Sequence, residues 1–239
     1  MIKLEKILAE KKYAKILDVG TGNGNFINII TSLTNDFSEI IGIDLSKTSI
    51  DECIKNFKDE RINFFQMDAL TMEFYDNSFD FVCLSNSLHH LKDVKKVIKE
   101  MERVLKPGGS LIFCEMMSDK LSKRQKSHLL LHHYGAEIDR YRGRYHELTF
   151  TNKEIIEILK KESNLTIKDV WDLTYNKREV NSKEEIEWLF KTIDHVKENI
   201  TDSKKNEYFE KEADKVKKHI KKYGFDSATQ LMVILKWNY

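Results

Sequence analysis

The stretch "ILDVGTGNGNF", residues 16–26, constrains the fold of this chain more than any other. An apolar run carries Asp18 near its end, and Gly20, Gly22 and Gly24 follow at every second position. The run suits a buried strand. Glycines directly after a strand let the backbone turn sharply and bring it close to a ligand. Beyond them, "NFINIITSLTN" sets Phe26, Ile29, Ile30 and Leu33 at helical spacing, so a helix N-terminus with free N–H groups should follow the loop. Strand, glycine turn and helix start, in that order, describe a cofactor loop.

The alternation continues. "EIIGIDLS" reads as a second strand, "KTSIDECIKNFKD" as a helix and "INFFQMDAL" as a third strand ending in Asp68. "FDFVCLSNS" is a fourth strand, "KDVKKVIKEMERVLK" a helix, and "PGGSLIFCE" a turn and a fifth strand. Such alternation implies parallel pairing with helices on both faces. Ligands in such sheets sit beyond the carboxyl ends of the strands. Asp18, Asp44, Asp68, Asn86 and Glu115 all fall at or near predicted strand ends, so one crevice should collect them.

Two cofactor classes use a loop of this kind. The dinucleotide fingerprint G-x-G-x-x-G needs a glycine at 25, where this chain has Asn25. A carboxylate at Asp18 would repel a pyrophosphate but suits a cationic ligand. Asp44 is placed to accept hydrogen bonds from ribose hydroxyls with either cofactor.

D-x-G-x-G-x-G followed by "GIDLS", "FFQMDAL", "NSFDFVCLSNSLHHL" and "LKPGGSLIFCE" resembles the class I S-adenosylmethionine-dependent methyltransferases. The blocks look most like the group that includes quinone-biosynthesis and small-molecule enzymes, and cover roughly residues 14–117. The resemblance implies an α/β fold: a Rossmann-like, doubly wound, mainly parallel seven-stranded sheet with an antiparallel last strand and helical insertions. It implies S-adenosyl-L-methionine as cofactor, with Gly20, Thr21, Gly22 and Gly24 against its methionine part and Asp18 near its ammonium. By the same resemblance, Asp44 takes the ribose hydroxyls and Leu45 packs on the adenine. Asp68 accepts from the adenine amino group, and the Ala69 N–H reaches a ring nitrogen. Ser85 and Asn86 form the floor beneath the sulfonium. The implied reaction is in-line methyl transfer to a small-molecule acceptor, anionic acceptors included; a methyltransferase acting on RNA or protein and a non-catalytic cofactor-binding protein are the alternatives. The Pro-Pro-aromatic stretch of the amino-methylating nucleic-acid enzymes is replaced here by "SNSL".

A positioned nucleophile and an activated sulfonium leave little covalent work. A base is needed only for an acceptor that arrives protonated, and His89 and His90, after the fourth strand, are the candidates.

The second half should choose the substrate. Residues 118–150 read as a helical substrate or lid segment, with a helix from Ser118 to about Tyr134. Residues 151–181 read as a core helix capped by Thr151 and a sixth strand. Residues 182–224 form an amphipathic helical hairpin, with Ile186, Leu189, Phe190, Ile193 and Val196 on one face and Tyr208, Phe209, Val216 and Ile220 on the other helix; 225–239 supply the last strand. Glu115, His133, Tyr134, Arg140, Tyr141 and Arg144 are the candidate substrate contacts, because arginine forks grip carboxylate or phosphate. The two additions are expected to act as a lid. His128, His132, His133 and His146 lack the acidic residue of a familiar zinc pattern, so no metal is expected.

Charge decides the remaining partners. The chain carries 40 Lys+Arg against 39 Asp+Glu, a net +1. Nucleic acid is therefore an unlikely partner. Residues 1–117 are slightly acidic and 118–239 slightly basic. Three cysteines without ligand spacing, no signal-like leader and no run of membrane-spanning length lead to an expected cytoplasmic location without membrane contact. The sequence leaves the oligomeric state open.

Overall fold

The structure, a computed structural model, describes residues 1–174, 182–198 and 200–237. Tyr175 and residues 176–181, expected to close the sixth strand region, and the final residues 238–239 lie outside the described set. The chain divides into two compact units: residues 1–115, 154–171 and 231–239, and residues 116–153 with 172–230.

The first unit opens with helix α1 (Ile2–Leu8), a segment the sequence pattern left unread. Then follow β1 (Ala14–Val19), α2 (Asn25–Leu33), β2 (Phe37–Asp44), α3 (Lys47–Asn56), β3 (Ile62–Gln66), β4 (Phe79–Ser85), a 3-10 turn (Leu88–His90), α4 (Val94–Val104) and β5 (Leu105–Met116). One seven-stranded sheet has the order β3-β2-β1-β4-β5-β7-β6, completed by β6 (Thr166–Leu173) and the antiparallel last strand β7 (Gln230–Lys236). The expected fold class is the observed one. β1 lies parallel to both β2 and β4, with Asp18 beside Gly42 on one side and Cys83 on the other. The strand order reverses at β1 and β4, and their carboxyl ends mark the switch point where such sheets bind ligands.

Local chemistry explains the elements. Ile40, Ile41 and Ile43 of β2 and Phe81, Val82 and Leu84 of β4 are buried, as in a sheet covered on both faces. α3 starts at Ser46, whose hydroxyl accepts from Ser49 N, and α4 at Asp93, which accepts from Lys96 N. The Pro107-Gly108-Gly109 turn is not a separate turn before β5. It is an irregularity within the strand, where pairing jumps from Phe79–Leu105 to Phe81–Ser110 and Gly108 takes φ 76°. Helix α6 (Asn152–Glu162) is tied down by buried Glu102, which accepts from Ser163 Oγ at 2.7 Å and from Asn164 N at 2.6 Å.

The second unit is mainly helical. α5 (Lys123–Tyr141), α7 (Lys183–Val196) and α8 (Ser203–Tyr223) bury one cluster that includes Tyr134, Ile138, Leu189, Ile193, Phe209 and Ile220. Capping boxes start α5 at Ser122 and Gln125, and α7 at Ser182 and Glu185. Three expectations change here. α5 begins at residue 123, not at 118, and runs to 141, not to 134. Gly135 does not end it; Gly143, at φ 79°, follows its C-cap. Tyr208, expected on the apolar face of α8, is exposed, and Ala213 takes a place in the cluster. The two additions, remote in sequence, share one core. No helix among the described residues is long and apolar enough to cross a membrane.

Candidate functional site

The glycine loop is held open by hydrogen bonds to β2. Thr21 N donates to Ile43 O and Gly22 N donates to Asp44 Oδ2, both at 2.9 Å. The three loop glycines have φ between 51° and 74°, the left-handed region, but their surroundings differ. A Cβ on Gly20 would lie 2.6 Å from Ser87 Oγ, and one on Gly24 would lie 2.5 Å from the Phe57 ring. A Cβ on Gly22 would meet nothing within 4 Å. Gly20 and Gly24 therefore pack the loop, whereas Gly22 faces open space where a ligand's atoms fit. Gly24→Ala should cost about 2–5 kcal/mol of stability, from left-handed strain plus overpacking. Gly22→Ala should cost only the strain, about 1–2 kcal/mol. Its added methyl should instead weaken cofactor binding. Urea unfolding of both variants, with calorimetric titration of Gly22→Ala, checks the contrast; equal stability losses would show that both glycines only pack.

Asp18 is the unusual group. It is 1% exposed, and its Oδ2 accepts from Thr21 Oγ1 at 2.7 Å. Its Oδ1 is buried and makes no hydrogen bond among the described residues. Burial pushes its carboxyl up to about 7; the Thr21 hydrogen bond opposes this and the Asp44 charge adds to it. A buried carboxylate with one unused oxygen fits a ligand cation.

Asp44 is half-buried at the end of β2. Its Oδ2 accepts from Gly22 N, and its Oδ1 accepts from Ser46 N at 2.8 Å. Each oxygen keeps a further lone pair for a ligand hydroxyl. Beside it Leu45 is 66% exposed, an apolar side chain available to a flat ring. Asp68 lies in the turn after β3, two residues past the strand, with Oδ1 accepting from Leu70 N at 2.9 Å; Ala69 is next to it. Asn86 takes φ 48°, a conformation asparagine tolerates, directly after Ser85 ends β4. These residues all gather at the carboxyl ends of β1 to β4, and their acceptor oxygens suit the donors of an ammonium, a ribose diol and an amino-purine.

Other expected contacts stand elsewhere. Glu115 is fully buried in the first unit, and its Oε1 accepts from Ser87 N at 3.0 Å and Leu88 N at 3.1 Å. Its carboxylate, expected at the substrate, caps the turn after β4. His89 is buried with Nδ1 3.6 Å from Glu115 Oε2, whereas His90 is exposed. Only His90 of the pair is open to solvent. In the second unit, Thr149 N donates to His133 Nε2 at 3.3 Å. Tyr134, expected as a substrate contact, is 3% exposed and belongs to the helical core. Arg140 donates to His146 O at 2.5 Å, Arg144 pairs with Asp139 at 2.6 Å, and Tyr141 packs edge-on against Phe209.

Two residues of the site escaped the sequence reading. Ser87 Oγ reaches both Gly20 O and Ser85 O at 3.0 Å, linking the loop after β4 to the glycine loop. Gly42 lies within β2, where a Cβ would come within 2.9 Å of Thr21 Oγ1. A glycine inside an isoleucine-rich strand was the available signal, since it marks a close approach.

Residues 17–113 match the methyltransferase domain family. Over 135 residues the chain is 30% identical to the demethylmenaquinone methyltransferase of Bacillus velezensis, covering 55% of this chain and 58% of that protein. The chain thus spans little more than half the length of that curated relative. Among solved structures, the cyclase SpnF superposes with a TM-score of 0.61 at 20% identity, covering 99% of this chain and 81% of SpnF. An S-adenosylmethionine-dependent methyltransferase from Aquifex aeolicus gives 0.53 at 20% identity, over 70% of this chain and 81% of that one. At such identities the structural likeness concerns the fold alone.

Proposed function

We propose that this chain, whose residues 17–113 match the methyltransferase domain family, binds S-adenosylmethionine and transfers its methyl group to a small organic acceptor. The observation that carries the reading is Asp18: a buried carboxylate with one unused oxygen, held at a glycine loop that Asp44 braces from the next strand. Bound there, the cofactor would supply an activated methyl on a sulfonium. The protein's share is to bind and orient. Asp18 meets the ammonium, Asp44 the ribose hydroxyls, Leu45 one adenine face, and Asp68 with Ala69 the adenine edge. Ser85 and Asn86 border the place of the sulfonium, and Glu115 keeps their loop in position through Ser87 and Leu88. Holding the acceptor in line is then the main source of acceleration. The likeness over 135 residues to a demethylmenaquinone methyltransferase supports a small organic acceptor over a macromolecule.

Calorimetric titration tests the cofactor. S-adenosylhomocysteine should bind with a Kd in the micromolar range, about −8 kcal/mol, and NAD should not bind. Tight NAD binding without S-adenosylhomocysteine binding would overturn the cofactor assignment. Binding of S-adenosylhomocysteine with no transfer of a labelled methyl to any small molecule would leave the cofactor but remove the reaction. SpnF, a cyclase with the same fold, makes that second measurement necessary.

A further inference from the structure

The second unit contains a cavity of its own. It has a volume of about 560 Å³ and lies at the C-terminal ends of α5 and α7, lined by His132, Gly135, Asp139, Arg142, Arg144 and His146 of the one segment and by His195, Val196 and Glu198 of the other. Its size is that of a small-molecule pocket.

Its chemistry is unbalanced toward donors. The lining has two carboxylates, and both are engaged. Asp139 accepts from Arg144 at Oδ1, 2.6 Å away, and faces His146 Nδ1 at Oδ2, 2.9 Å away; Glu198 Oε2 lies 2.8 Å from His195 Nδ1. Arg142 forms no ion pair among the described residues. Its Nη2 donates to Glu198 O at 2.7 Å, which occupies a carbonyl at the end of α7, and its other N–H groups remain available. Arg142 is exposed at the mouth of this hollow, and a guanidinium without an ion pair there can grip an anion with its remaining N–H groups.

Gly135 gives a second, independent observation. It stands in the middle of α5, where glycine destabilises a helix relative to alanine. It has no positive φ to require a glycine, and a Cβ built on it would meet nothing within 4 Å. The helix therefore gives up a side chain at the point where it lines the cavity, and so leaves room there. Val196 adds an apolar wall.

We propose that this cavity binds a small organic anion, with its carboxylate or phosphate on Arg142 and its body over Gly135. The proposal concerns the second unit and does not rest on methyl transfer.

The probes are benzoate, phenyl phosphate and the neutral isostere benzamide, titrated by calorimetry into the whole chain without S-adenosylmethionine. Benzoate or phenyl phosphate should bind with a Kd of about 1 mM or tighter, and benzamide should not bind. Arg142→Gln keeps a donor for Glu198 O and should lose at least about tenfold in affinity for the anion. Gly135→Leu should fill the hollow and abolish binding, while its melting temperature stays equal or rises because the helix gains a better residue. That melting temperature separates blocked binding from misfolding. Benzamide binding as well as the anions, anion affinity unchanged in both variants, or no anion binding by about 10 mM would each overturn the proposal. Because no cofactor is present, failure here and failure of the methyl-transfer reading are told apart.

Discussion

Asp18→Asn is expected to make the protein more stable above pH 7 and a poorer binder of its cofactor. Burial raises the Asp18 carboxyl from its ordinary 3.8 to about 7. The folded state thus keeps a proton that the unfolded chain releases near pH 4. The contribution is fully present below pH 4 and is lost as pH rises through 7; above that the ionised carboxylate destabilises the fold by about 4 kcal/mol. Asparagine never ionises, and its carbonyl still accepts from the Thr21 hydroxyl. Its amide replaces an oxygen without a partner, which offsets about 1–3 kcal/mol of the gain. The net expectation at pH 8 is a gain of about 1–3 kcal/mol, or roughly 2–10 °C in melting temperature for a chain of this size. At pH 5 the unfolded carboxyl is ionised while the folded one keeps its proton, so only about 1–2 of the 4 kcal/mol has been lost; the asparagine penalty offsets this and the net gain should fall to near zero. Binding moves the other way. Removing the charge that meets an ammonium should weaken S-adenosylhomocysteine by about 1.5–3 kcal/mol, roughly 10- to 150-fold. Melting curves at pH 5 and pH 8, with calorimetry at pH 8, make the test. A melting-temperature difference that is the same at both pH values would rule out a strained ionised carboxylate.

That trade-off was only half visible in the sequence. Asp18, Gly20, Gly22, Gly24 and Asp44 were legible because strand ends and turns have local signatures: an apolar run, then residues that tolerate positive φ. The sheet was legible for the same reason, through alternating periods. What the sequence did not reveal depends on neighbours distant in the chain. Nothing local separates Gly22, which faces open space, from Gly20 and Gly24, which pack against Ser87 and Phe57. Glu115 has a strand-end position like Asp18, yet its carboxylate is taken up by two backbone N–H groups from residues 87 and 88. Tyr134 sat in a basic and aromatic stretch that looked like a binding surface, but helical phase turns it toward Phe209, some 75 positions later. The helix expected from Ser118 to about Tyr134 runs on through Gly135; Ser122 and Gly143 set the true limits.

Asp44→Ala should bring the largest loss of cofactor affinity. The carboxylate stands at the end of β2, with one lone pair on each oxygen committed to an amide, Gly22 N on one and Ser46 N on the other. The remaining acceptor capacity suits two vicinal hydroxyls. Each charge-assisted hydrogen bond is worth about 1.5–3 kcal/mol, and the two share one group, so the combined loss should be about 2–4 kcal/mol and not the full sum. That predicts S-adenosylhomocysteine binding about 30- to 1,000-fold weaker. The same change frees Gly22 N–H, which holds the loop against β2, so alanine alone would mix a lost ligand contact with a displaced loop. Asp44→Asn separates them. Its carbonyl keeps one amide bond, and its uncharged amide can still donate to a hydroxyl, so it should retain the fold and fall between wild type and alanine. The 2′-deoxy form of the ligand completes a double-mutant cycle. If Asp44 holds the ribose, removing that hydroxyl should cost wild type about 1–2 kcal/mol and cost Asp44→Ala almost nothing. Equal losses in both proteins would show that Asp44 only braces the loop.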